Sequence, residues 1–324
     1  MIIWTGMVTS SLAWVMPAIA FSGRGKFDMS SWKTLIFGLF AIMWGFGATG
    51  LSVQLSRRYR IVDPSGSARK IHEGEVPRGG GVALWLGVLL SILLQSEVSS
   101  FSASLAFGSS FIFIVGYIDD MRPLPPLLRL IVHLTSACIV VYAIPAPITL
   151  LERAILVFWV TGMTSAFNLI DGLNGLLLSI FAASAVLALI WTDQWAWVPL
   201  LGMALGALWW NFPEARTFLG DGGSTLLGFL YASLISNYVA SKGASALAVL
   251  VVIAILGGIP LIDTLTSIVR RLAEHRSPFS PDRGHIHHRL IDSGLSRGAA
   301  VATLVSLHVL CITCGFVLLD HIAG

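Results

Sequence analysis

The sequence predicts an all-α, polytopic membrane protein with ten or eleven transmembrane helices and an active site at its cytoplasmic face. Three observations carry that prediction. Of 324 residues, 56% are hydrophobic and only 11% charged, with a mean hydropathy of +0.83, where globular domains carry about 25% charged residues. The charges sit in short segments between apolar runs of roughly 17–25 residues, the length that crosses a bilayer. Threading those runs fixes alternate loops on opposite sides, and 15 of the 20 Lys and Arg fall on one set. The positive-inside rule places that set in the cytoplasm.

Eleven runs can be marked: 2–21, 34–55, 80–95, 103–118, 127–147, 150–167, 174–191, 196–212, 223–240, 245–262 and 300–319. The first lacks a basic n-region and is followed by further spans, so 1–30 is expected to be an anchor helix rather than a signal peptide. The runs 80–95 and 103–118 are short and should stand nearly upright. The longest polar stretch, 263–299, cannot bury a core of its own, so 1–324 reads as one integral membrane domain with 263–299 as a cytoplasmic substrate loop. Cys138, Cys311 and Cys314 all lie in apolar runs, where packing is the expected role despite the C-x-x-C spacing of the last two. No internal repeat is visible, and nothing in the sequence points to a nucleic-acid partner.

The cytoplasmic loops carry every polar cluster of note. In the first, Gly79–Gly81 beside Lys70 and Arg78 either packs closely or lets backbone approach a phosphate. In the second, Gly-Tyr-Ile-Asp-Asp (116–120) puts Asp119 and Asp120 at a helix C-terminus, where the helix dipole disfavours them and they repel each other. Sharing a cation, or a proton with a ligand, explains that placement better than structure does. Arg129, one turn into the next helix, can lean back into the same mouth; His133, four residues on, reads as a packed polar residue.

The third loop interrupts two apolar runs with Phe-Asn-Leu-Ile-Asp-Gly-Leu-Asn-Gly (167–175). Asn168, Asp171 and Asn174 with Gly172 and Gly175 make either a plain turn or a ligand site, since polar groups at membrane depth need water or a partner. The fourth, Phe-Leu-Gly-Asp-Gly-Gly-Ser-Thr (218–225), opens a helix, offering N–H groups to an anion and Asp221 to a hard cation. The fifth ends in Pro-Asp-Arg-Gly-His-Ile-His-His-Arg-Leu (281–290). Its three histidines invite zinc, yet no Cys or second His pair on this side has zinc-ligand spacing. Dense His and Arg at a membrane surface suit a phosphate or sugar phosphate better.

Four carboxylates (Asp119, Asp120, Asp171, Asp221) and many cationic donors on one face suit Mg²⁺ plus a diphosphate. A site at the lipid mouth suggests that one substrate is a lipid, and the reaction class that follows is phosphoryl transfer. A transporter would need charges at mid-membrane rather than at one face. A scaffold for glycan assembly would not need Asp221.

The motifs at 116–120, 168–175, 218–224 and His-Ile-His-His-Arg-Leu (285–290) resemble, in order, those of the polyprenyl-phosphate N-acetylhexosamine-1-phosphate transferases, from about residue 34 to 319. The resemblance implies transfer of a HexNAc 1-phosphate, GlcNAc by default, from a UDP-HexNAc to undecaprenyl phosphate with release of UMP. It also implies Mg²⁺, with Mn²⁺ as the substitute, a multi-pass place in a bacterial inner membrane, and room for a homodimer. The His motif with Pro281-Asp-Arg is similar to the O-antigen and common-antigen branch rather than the muramoyl-pentapeptide branch.

By the same resemblance, Asn168 and Asp221 match the metal-holding positions, and Asp119 matches the residue assigned to deprotonate the lipid phosphate. Asp120 lies near the pyrophosphate, with Asp171 between these functions. Arg129 matches a pyrophosphate contact, Gly172 and Asn174 the uracil-binding turn, and Arg283, His285, His287 and His288 the loop meeting sugar and phosphates. Lys70, with His72 on the same arm, joins the substrate-binding set. Three features depart from the pattern: Pro123 replaces a third acid, Asn174 stands where Asp is common, and 1–30 has no usual counterpart.

Overall fold

A computed structural model describes residues 32–59, 62–63, 76–95, 97–277, 280 and 284–323. Among these, the expected anchor at 1–30, Lys70, His72 and Arg283 do not appear. Every apolar run from 34 onward is helical. The helices are α1 (Trp32–Arg58), α2 (Gly80–Leu93), α3 (Ser100–Met121), α4 (Pro126–Tyr142), α5 (Leu150–Ile170), α6 (Leu176–Thr192), α7 (Trp197–Asn211), α8 (Gly220–Ser241), α9 (Ala246–Leu256), α10 (Gly258–Ala273), α11 (Ile286–Asp292) and α12 (Arg297–Ala323). A two-residue antiparallel pair, β1 (Val62–Asp63) with β2 (Val76–Pro77), is the only strand pairing among the described residues.

The chain is an all-α, multi-pass membrane protein. Among the described residues, four helices are long and apolar enough each to cross a bilayer: 34–58, 100–121, 150–170 and 297–322. The pair α9–α10 would make a fifth, while α2, α4 and α6 are apolar but shorter. That is fewer than the ten or eleven apolar runs suggest, because several runs become helices too short on their own; α2, with 14 residues, rises only about 21 Å against a hydrocarbon core of about 30 Å. Outward faces remain apolar, as Leu35, Leu39, Phe40 and Met43 on α1 illustrate.

At the centre stands α8, in which every residue from Gly222 to Ser236 is buried. A helix buried all round must be met by neighbours on every side, and α2, α3, α4, α5 and α6 supply them. Two close approaches pull its first turn against α2 and α3. A Cβ on Gly81 would lie 2.7 Å from the Gly223 Cα, and one on Gly116 2.6 Å from the Gly222 Cα. Of the two readings of Gly79–Gly81, close packing is therefore the one the structure displays.

The run 245–262 is not one span, and 263–299 is not all loop. The helix breaks at Gly257 and turns by 94° into α10, with Gly258 at φ +51°, a value that glycine adopts easily. The break frees backbone groups inside the bundle, and two of them find neutral side-chain partners. The Tyr231 hydroxyl donates to the Leu256 carbonyl at 2.5 Å, and the Ile259 N–H donates to His308 Nδ1 at 3.3 Å. With Nδ1 accepting, His308 Nε2 carries the proton and donates to Ser184 Oγ at 2.8 Å, a tautomer assigned from the network. Beyond the bend α10 turns Asp263, Thr264, Ser267 and Arg271 inward and Ile262, Leu265, Val269 and Leu272 outward. Polar residues inside and apolar residues outside suit a helix lying against lipid.

Candidate active site

The site is built around the first turn of α8. The N–H groups of Asp221 and Gly222 have no intrahelical partner there, and both donate to one carboxylate, Asp120, to Oδ1 at 3.0 Å and Oδ2 at 3.3 Å. Arg78 Nη1 joins from the other side, donating to the Asp120 carbonyl at 2.8 Å and meeting Oδ1 at 3.3 Å. The strand leading to α2 is fastened to the same place, since Phe218 N–H donates to the Pro77 carbonyl at 2.9 Å and Gly80 N–H to the Phe218 carbonyl at 3.1 Å. Asp120 is thus engaged in holding three segments together.

Its neighbour Asp119 faces the other way. Asp119 Oδ2 meets Arg129 Nη1 at 2.7 Å, and its Oδ1 accepts the Leu124 N–H. The same Nη1 meets Asp221 Oδ2 at 3.2 Å. With the Asn168 amide oriented so that both its ends are satisfied, its oxygen accepts from Arg129 Nη2 at 2.6 Å. Its nitrogen then donates to Ser224 Oγ at 2.7 Å and Asp221 Oδ1 at 3.3 Å. Arg129 therefore gathers oxygens from three separate motifs onto one guanidinium. That residue starts on α4, whose Pro125-Pro126 entry fixes the first turn near the α3 end.

Asp171 follows as the C-terminal cap of α5. Burial, and then the charges of Asp221 and Asp120, push its carboxyl up to about 7. Beyond it the turn runs into α6 through Gly175 at φ +76°, whose N–H donates to Asn211 Oδ1 at 2.7 Å. Asn211 Nδ2 donates in turn to the Thr217 carbonyl at 2.8 Å, and Asn174 Nδ2 to the Pro213 carbonyl at 3.3 Å. So the 167–175 turn is bound to the segment that feeds α8.

The histidine motif reaches the same turn. His287 lies against Gly172, where a Cβ would collide with its Nε2. It is buried, neither ring nitrogen has a hydrogen-bond partner among the described residues, and burial together with His288 holds its pKa down to about 4. Its ring stacks on His285 (5.7 Å between centroids) and leans on His288 (4.3 Å). The structure thus brings Asp119, Asp120, Arg129, Asn168, Asp171, Gly172, Asn174, Asp221, His285, His287 and His288 to one end of the bundle. Lys70 and Arg283 lie outside the described residues. His133 is apart, buried and bonded to Ser165 Oγ at 3.1 Å.

Sequence reasoning missed three residues: Arg78 as the partner of Asp120, Asn211 as the staple between turns, and Asp263. Only the last had a signal. Asp263, Ser267 and Arg271 recur every four residues, the spacing of one helix face, within a stretch read as loop.

Three carboxylates (Asp119, Asp120, Asp221) meet two guanidiniums here, and burial pushes the carboxyls of Asp171 and Asp221 upward. No three acidic or histidine side chains among the described residues stand close enough to chelate a metal alone. By donor chemistry Asn168 and Asp221, whose oxygens lie on Arg129 here, are of the hard-oxygen kind of which magnesium takes one or two, completing its shell with phosphate and water.

A family model described as glycosyl transferase family 4 matches residues 102–239, a stretch that holds the aspartates from 119 to 221 but stops short of the histidine turn. The chain is 32% identical over 252 residues to an undecaprenyl-phosphate alpha-N-acetylglucosaminyl 1-phosphate transferase of Thermotoga maritima, covering 76% of this chain and 78% of that one. It is 30% identical over 261 residues to a probable undecaprenyl-phosphate N-acetylglucosaminyl 1-phosphate transferase of Bacillus subtilis, covering 74% and 72%. To an Escherichia coli K12 protein with the same name as the Thermotoga one it is 28% identical over 295 residues, covering 79% and 78%.

Proposed function

The chain belongs to glycosyl transferase family 4, and from that premise we propose that it transfers an N-acetylhexosamine 1-phosphate, GlcNAc 1-phosphate by default, from a UDP-sugar to undecaprenyl phosphate. The relatives above are named as undecaprenyl-phosphate N-acetylglucosaminyl 1-phosphate transferases, the Bacillus one as a probable one. The observation that carries the reading is the single guanidinium of Arg129 on Asp119, Asn168 and Asp221. Oxygens from distant motifs converge on one cationic point, the gathering of hard oxygens that a divalent cation accompanying a diphosphate would need.

In the reaction an oxygen of the lipid phosphate attacks the β-phosphorus of the UDP-sugar. The bond from that phosphorus to the bridging α–β oxygen breaks, and UMP leaves with the electron pair. Asn168 and Asp221 would hold Mg²⁺, or Mn²⁺ in its place, which when bound neutralises charge on the diphosphate. The work left to the side chains is positioning and charge compensation. Arg129 and Arg78 supply cationic donors. A phosphate with a second pKa near 6 is already ionised at neutral pH, so Asp119, held by Arg129 and the Leu124 N–H, orients the acceptor more than it deprotonates it. The turn at Gly172 and Asn174 takes the uracil, and His285, His287 and His288 meet the sugar and phosphates.

The site would then face the cytoplasm, where UDP-sugars are found, and the lipid-linked product would start a cell-surface polysaccharide. A panel of UDP-sugars presented with undecaprenyl phosphate to the purified chain, with products identified by mass, tests the reading. Lipid diphosphate-sugar and UMP are expected in equal amounts, and the reading fails if no UDP-sugar yields them.

A further inference from the structure

Asp263 stands outside the cluster just described, yet among the described residues it is one of the most buried charged groups, 1% exposed. An isolated buried carboxylate is costly unless its oxygens are paired, and both oxygens of Asp263 are. Oδ2 meets His285 Nδ1 at 2.7 Å, and Oδ1 accepts the Ile286 N–H at 2.7 Å. The two partners are adjacent residues at the start of α11, so one carboxylate fixes both a side chain and the backbone that carries it. Ser267, one turn along α10, stands 3.4 Å from the same Nδ1. The carboxylate's own position follows from the 94° bend at Gly257, without which Asp263 would continue along the axis of α9.

We infer that Asp263 is a positioning residue, which locks His285 as the Nδ1–H tautomer and seats the His-Ile-His-His turn on Gly172. An imidazole that gives Nδ1–H to a carboxylate leaves Nε2 as the nitrogen that can meet substrate, and its ring orientation is fixed by the same bond. From His285 the constraint passes by stacking to His287, and from His287 by contact to Gly172. The bent helix, the histidine turn and the 167–175 turn form one chain of contacts. The inference rests on the transfer reading for what His285 does, but not for how it is held.

The experiment uses the full-length chain in detergent with ¹⁵N-labelled histidine, the His285 signals being those lost in His285→Gln. In the unsubstituted chain the neutral His285 ring should carry its proton on Nδ1. In Asp263→Asn the carboxamide can still accept the Ile286 N–H at Oδ1, but its Nδ2 donates toward His285, so the tautomer should reverse. With UDP-GlcNAc and undecaprenyl phosphate as substrates, kcat should drop about 10- to 100-fold, the usual effect of losing an orienting partner, while KM changes little. Asp263→Glu should recover part of the loss seen in Asp263→Ala.

A neutral His285 protonated on Nε2 in the unsubstituted chain overturns the inference, whether or not any variant folds. Unchanged kcat in a folded Asp263→Asn overturns it as well. Failure of the unsubstituted chain to release UMP would instead defeat the transfer reading, and the tautomer would still decide this one.

Discussion

The bundle contains two polar breaks, and they are finished in opposite ways. At the bend between α9 and α10 the groups that close the break are neutral and paired: Tyr231 on the Leu256 carbonyl, His308 between the Ile259 N–H and Ser184. At the first turn of α8, three carboxylates crowd two arginines, and buried His287 has neither nitrogen bonded among the described residues. Two histidines, both nearly free of solvent, thus serve different ends. A structural break gains by pairing the groups it exposes, because an unpaired one inside the bundle costs stability. A site that must receive a charged ligand leaves its groups in surplus, held in place by neighbours but not satisfied by them.

That contrast can be broken or sharpened by substitution. The largest effect is expected at Asp221, where replacement by Asn should lower kcat by ~10²- to 10³-fold, the range for loss of one electrostatic contact to a transition state. Steady-state UMP release from folded protein is the check. Arg129→Lys should lose nearly as much, because an ammonium cannot span Asp119, Asp221 and Asn168 as the guanidinium fork does. A lysine variant with near-normal turnover would mean that the bridging geometry is unimportant.

The two histidines should respond with opposite signs in thermal unfolding. His308→Leu orphans the Ile259 N–H and should cost about 1–3 kcal/mol, with turnover per folded molecule close to the unsubstituted value. His287→Leu removes unbonded polar atoms and should stabilise the fold while depressing transfer. If both variants shift stability in the same direction, the distinction drawn between the breaks is wrong.

A smaller effect concerns Asp171. Its carboxyl is raised to about 7 in the fold, from an ordinary value near 4. The folded chain therefore holds a proton that the unfolded chain has released across that interval. Stability contributed by this group is greatest below about pH 4, declines as pH rises, and is flat above about pH 7. Against Asp171→Asn in chelator-treated buffer, the unsubstituted chain's melting point should fall steadily from pH 4 to 7. A constant difference between the two would contradict the burial of this carboxyl.

Much of this was legible in the residues. Apolar runs located ten helices because an unbroken apolar run of that length satisfies its backbone in lipid within one helix, and the charge asymmetry between loops grouped the motifs that the fold brings together. The bend at Gly257 was hidden because α9 and the start of α10 are both apolar, so 245–262 reads as one span. Asp263 was hidden with it, for α10 turns its polar face inward and its apolar face outward. The capping of α8 by Asp120 was beyond local pattern, since its partners are 101 and 102 residues away. The same tertiary origin explains why the glycines at 79–81 could be read as a phosphate cradle.

The central claim is that Asp119, Asn168 and Asp221 act on one metal-bound diphosphate. UMP release from UDP-GlcNAc, followed as magnesium is titrated into the unsubstituted chain and into Asn168→Ala, tests it most directly. The expected result is no release without both magnesium and undecaprenyl phosphate, and a much higher magnesium requirement in the variant. Release that persists after chelation, or an unchanged magnesium dependence in folded Asn168→Ala, would contradict the account.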